Sequence, residues 1–111
     1  MQIAELQAFI KAFKAQPLYQ GILEGVKTEQ ELIYADGLKL SEEVGELNEQ
    51  LLGKFHYQRK DKSDRFSDEK LGLEIADVIL SAAMLTDSLN FDLEELLKQK
   101  MTILREKAFK N

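Results

Sequence analysis

The stretch from Leu71 to Leu89 constrains the fold most, because it is apolar on nearly every side yet carries two carboxylates, Glu74 and Asp77. Leu73, Ile75, Val78, Ile79, Leu80 and Leu85 show no strand-like alternation, and a run of this length reads as a helix buried on most sides. At 100° per residue, Lys70, Glu74, Asp77, Ser81 and Ser88 fall in one strip about 60° wide. An ionised carboxylate in such surroundings costs several kcal/mol unless something neutralises it. Protonation, a basic partner or a cation must therefore serve Glu74 and Asp77.

A second acidic strip precedes it. Thr28 followed by Glu31 has capping-box spacing and opens a long helical pattern that should stop near Gly53. With Glu42 set at 0° on its wheel, Ile33, Leu40, Val44, Leu47 and Leu51 gather at roughly 140 to 200° and define a core face. Glu43 falls at about 100° and Glu46 at about 40°, while Glu42 and Glu49 point further toward solvent. Lys39, one turn before Glu43, shares that edge. Pairs three residues apart, Glu43 with Glu46 and Glu74 with Asp77, each put two oxygen donors on one helix face. Packed together, the two helices would form a four-carboxylate cage. Oxygen-only ligation suits Mg²⁺, with Mn²⁺ as a substitute, and the lack of any Glu-x-x-His pair argues against a di-iron bundle. Either half alone is ordinary: a solvated acidic face for the first, ion pairs with lysine or arginine for the second.

The rest of the chain fits one all-α domain over residues 1–111. Ile3, Leu6, Phe9, Ile10 and Phe13 predict a short first helix ending before Pro17, followed by a loop around Gly21 and Gly25. Residues 54–67 have no apolar period, and basic groups there alternate with Phe55, His56 and Tyr57, which reads as a loop or a nucleotide lid. Asn90 or Asp92 caps a last helix whose stripe of Leu93, Leu96, Leu97, Met101 and Leu104 reads as core. With no cysteine and one histidine, the chain has no disulfide framework, no thiol nucleophile and no site built on two imidazoles. A net charge of −5 disfavours stable nucleic-acid binding. The absence of a signal-like N-terminus or a membrane-length apolar run makes the cytoplasm the expected compartment.

The pattern Ser41-Glu42-Glu43-Val44-Gly45-Glu46-Leu47, then Leu73-Glu74-Ile75-Ala76-Asp77-Val78, resembles the MazG-like all-α nucleoside triphosphate pyrophosphohydrolases, over roughly residues 30 to 107. The resemblance implies a four-helix bundle with a short N-terminal helix, assembled as a dimer or a dimer of dimers. It implies metal ligation by Glu43, Glu46, Glu74 and Asp77, with Glu42 as an outer-shell or water-orienting base beside Glu43 and Glu46. Cleavage between the α and β phosphates would release a monophosphate and pyrophosphate, as a nucleotide-pool house-cleaning activity. Lys39, Lys70, Lys100 and Lys107 are the candidate phosphate contacts, although Lys100 is followed by Leu104 and Lys107 where relatives often have asparagine and arginine. Some relatives stack the base on a tryptophan; this chain has none, which leaves Phe55, His56 or Tyr57 for that role. The alternatives are an enzyme like phosphoribosyl-ATP pyrophosphohydrolase and a non-catalytic helical binding or oligomerisation module.

Overall fold

The computed structural model describes residues 1–55 and 66–109, and every regular element among them is helical. In chain order these are α1 (Ile3–Lys14), α2 (Pro17–Ile22), α3 (Glu29–Lys54), α4 (Asp68–Ser88) and α5 (Leu93–Ala108). The ends follow local chemistry. Thr28 and Ser67 each accept a hydrogen bond from the backbone N–H three residues on, opening α3 and α4. Asp92 rather than Asn90 caps α5, accepting from the N–H groups of Glu94 and Glu95. Asn90 instead takes the left-handed conformation, φ 60°, that ends α4.

Two local expectations are corrected. The segment before Thr28 is not all loop: Pro17 starts the one-and-a-half-turn α2, which includes Gly21, because a proline costs nothing at the first helical position. Only Gly25, at φ 93°, needs a glycine's freedom in the turn that follows. Glu31 does not close a capping box on Thr28, since its carboxylate accepts from the N–H of Lys27.

Packing centres on the α3–α4 hairpin, whose helices meet where α3 finishes and α4 begins. Gly53 is buried where an added Cβ would lie 3.2 Å from the Cβ of Phe66, and Lys54 bonds Asp68 at 3.1 Å. The α1 helix lies on α4 and α5, with Leu6, Ile10 and Ala83 at the contact, and it does not approach the α3 backbone.

The larger correction concerns the apolar helices. Within the chain α4 is not buried on most sides: Leu73, Ile75 and Ile79 are exposed, and its buried residues are Ser81, Ala83 and Ser88. No residue of α5 is buried, and Leu96, Leu97, Met101 and Leu104 face outward rather than forming core. On α3, Val44 and Leu51 are also exposed. The reason is geometric. Five helices that touch mainly as a hairpin with α1 across one end cannot enclose a core, and the Cα radius of gyration, 17.1 Å, exceeds the roughly 13 Å of a compact chain this long. No described helix is long and apolar enough to cross a membrane.

Candidate metal centre

Where α3 and α4 pack, three of the four expected carboxylates converge. One oxygen from each of Glu43, Glu46 and Glu74 lies within 4.8 Å of the others, close enough for a single ion to reach all three. Glu43 is 7% exposed, Glu74 half-buried and Glu46 exposed, so the cluster has a closed back and an open front. The wheel of α3 anticipated this order, with Glu43 nearer the apolar face than Glu46.

The charges are not fully compensated. The Lys39 ammonium lies 3.0 Å from Oε1 of Glu43 and 3.6 Å from Glu42, and the bond to Glu43 holds the lysine pKa above its usual value. Oε2 of Glu43 and Oε2 of Glu74 are buried and accept no hydrogen bond. Such orphaned acceptors carry the full cost of desolvation. The titration of the acids shows the same strain. Glu46 is pushed up chiefly by the charge of Glu43, and Glu74 chiefly by burial and then by Asp77 and Glu43.

Asp77 does not offer an oxygen to this triad. It is exposed on α4, lines the adjacent cavity and acts on Glu74 through space. Among the expected phosphate contacts, Lys39 is at the cluster. Lys70 lies in the first turn of α4, where its backbone N–H is used by the Ser67 cap. Lys100 and Lys107 are exposed on α5, which makes no contact with α3, so the chain's own fold does not bring them to Glu43 and Glu46. Phe55 is exposed at the end of α3, and His56 and Tyr57 lie outside the described residues.

Beside the acids the structure opens a cavity of about 520 Å³, within the range of small-molecule sites. It exists because α1 leans on α4 and carries α2 with it, while both stand off α3. Glu42, Glu43, Lys39 and Asp77 rim it, and Phe9, Phe13 and Tyr19 form an aromatic wall, with ring centroids 6.0 and 5.8 Å apart. At its inner end sits a buried polar group that the sequence reading did not single out. Asp36 accepts a hydrogen bond from Ser88, and Lys14 donates to Ser88 at 2.7 Å and to the carbonyl of Met84 at 3.0 Å. Lys14 also pairs with Asp87 at 3.0 Å and lies 3.9 Å from Asp36. A signal was present, since Asp36 falls at about 120° on the α3 wheel, beside Glu43. Its partners on α1 and α4 carried no signal of that pairing.

Comparison with known proteins returns no matching family model, no similar curated protein and no similar solved structure.

Proposed function

We propose that this chain is a divalent-cation-dependent nucleoside triphosphate pyrophosphohydrolase of the MazG-like kind. The observation that carries the reading is the pair of buried, unpartnered carboxylate oxygens, on Glu43 and Glu74, facing a third carboxylate across two packed helices. A chain with only a structural use for these acids would be more stable with them neutralised or fully paired. A hard cation with oxygen preference, Mg²⁺ or Mn²⁺, fits that donor set.

Glu43, Glu46 and Glu74 would hold the ion, with Asp77 one turn further along α4 as an outer or additional ligand. When bound, the ion neutralises phosphate charge and makes water a better nucleophile. The chain's own residues supply the remainder. Lys39 can exchange its carboxylate partners for a phosphate oxygen without leaving the rim. Glu42, exposed on the rim of the cavity, would orient water and accept its proton in in-line attack at phosphorus. The aromatic wall would exclude water from one side of the substrate.

A homodimer or a dimer of dimers completes this reading. The exposed apolar faces of α3, α4 and α5 call for a cover, and a second copy is the cover the resemblance implies. A partner's α5 would also be the source of lysines that one protomer keeps distant. Met101→Lys with Leu104→Glu should then halve the particle mass in light scattering, while an unchanged mass would place the interface elsewhere.

The activity test is a panel of triphosphates scored for pyrophosphate against orthophosphate, with Mg²⁺ and with EDTA. Pyrophosphate release should need the cation, and Glu46→Gln or Glu74→Gln should lower it at least about a hundredfold, the scale of losing one charge-stabilising group. No turnover of any nucleotide, together with no Mg²⁺-dependent rise in melting temperature, would leave a non-catalytic helical module.

A further inference from the structure

From the placement of Lys39 we infer that this lysine is a resident counter-ion: it stands in for the divalent cation while nucleotide is absent and moves to phosphate when nucleotide arrives, so that cation and nucleotide are taken up together. This inference rests on the nucleotide reading of the neighbouring acids. It adds the order in which the site fills and the residue that imposes it.

Three observations carry it. The Lys39 ammonium lies 3.0 Å from Oε1 of Glu43 and 3.6 Å from Oε2 of Glu42, so one of the three clustered acids already has a positive charge against it. That compensation is partial, because Oε2 of Glu43 and Oε2 of Glu74 are buried without a partner. One ammonium at one edge makes the metal-free cluster tolerable without serving all three acids. Finally, Glu43 is buried whereas Lys39, one turn before it on α3, is exposed and lines the cavity beside Glu42 and Glu43. Its flexible four-carbon stem lets the head turn from carboxylate to ligand with no change in the helix.

The consequence is electrostatic. A bare divalent ion would have to share Glu43 with the ammonium or displace it into water. At the separation two cations on one carboxylate are forced into, even fully water-screened repulsion of a single by a double charge is worth about tenfold in binding. A triphosphate removes that obstacle, since its oxygens offer Lys39 a charged acceptor as good as the carboxylate it gives up. Lys39 therefore opposes the cation alone and favours the cation that comes with phosphate. By linkage, each of the two ligands strengthens the binding of the other.

The test measures binding without turnover. The full chain and its Lys39→Met and Lys39→Arg variants are titrated with Mn²⁺ alone, followed by electron paramagnetic resonance of the free ion. They are then titrated with preformed Mn²⁺ complexes of the four α,β-methylene deoxynucleoside triphosphates, followed by calorimetry. Lys39→Met should bind Mn²⁺ alone at least about tenfold tighter than the wild type. The same variant should bind the nucleotide complex at least about tenfold weaker, the scale of losing a hydrogen bond to a charged group. Lys39→Arg keeps the charge and should stay near the wild type in both titrations, and Lys39→Gln should repeat the methionine result with a polar side chain. A lysine that merely supported α3 would leave the affinity for bare Mn²⁺ unchanged or lower when removed, and either result would overturn the inference. So would unchanged affinity for the complex, or no Mn²⁺ binding to any of the proteins. Tighter binding of bare Mn²⁺ with no nucleotide complex bound by any protein would overturn both the linkage and the hydrolase reading. Cation-dependent pyrophosphate release with the bare affinity unmoved would overturn the linkage alone.

Discussion

Helix α3 buries two carboxylates two turns apart, and they live under opposite conditions. Asp36 is served by the chain itself, with the Ser88 hydroxyl bonded to it and the Lys14 ammonium behind. Glu43 has Lys39 on one oxygen and nothing on the other, and its neighbours are two more acids. The first region is complete as folded. The second is tolerable only with something added, and that difference separates a buried charge that supports the fold from one kept ready for chemistry.

The comparison breaks most visibly at Lys14. Lys14→Met removes the cation beside buried Asp36 and one of the two lysines on Asp87, and urea unfolding should show a loss of about 3 kcal/mol. A loss near zero would mean that the network is not what holds α1 against α4. At the acidic cluster the sign reverses. In metal-free protein, Glu74→Gln removes a buried charge facing like charges, and stability should stay level or rise by roughly half a kcal/mol after solvent screening. Added Mg²⁺ should raise the melting temperature of the wild type more than that of the variant.

The smallest effect is the pH profile, where the two regions again have opposite signs. Glu46 and Glu74 titrate above their ordinary 4.5, so their contribution is present below that pH and is lost as pH rises through the higher folded values. For Asp87, burial alone would raise the pKa, but hydrogen bonds from Lys11 and Lys14 outweigh it and hold the group below 3.8. Its contribution is therefore present above 3.8 and fades as pH falls through the lower folded value. Without metal, stability should decline on the alkaline side of 4.5 and again at strong acid. Mg²⁺ should remove only the first decline. A profile with the alkaline-side decline intact in saturating Mg²⁺ would mean that the ion does not sit on these acids.

Much of this was legible in the residues. Thr28, Ser67 and Asp92 cap helices because a short polar side chain can reach free N–H groups within one turn, a local matter. The ranking of Glu43 over Glu46 in burial followed from 100° steps along α3. Asp77 shows the limit. On the wheel it shares a strip with Glu74, yet the crossing of α3 and α4 brings only Glu74 within reach of the other two acids. The apolar surface of α4 and α5 was equally visible as apolar, but a wheel shows which faces avoid water and not whether one chain suffices to cover them.

The sequence by itself determined the longer helices, most of their ends and the edges of α3 and α4 on which the acids lie, because those depend on neighbours within a few residues. Only the tertiary structure decided that three acids meet, that Lys14 from α1 and Ser88 from α4 serve Asp36, and that a cavity joins the two regions. Those features depend on how rigid cylinders lean on one another. A small change in a crossing angle moves a side chain by ångströms, and no periodicity along the chain records that angle.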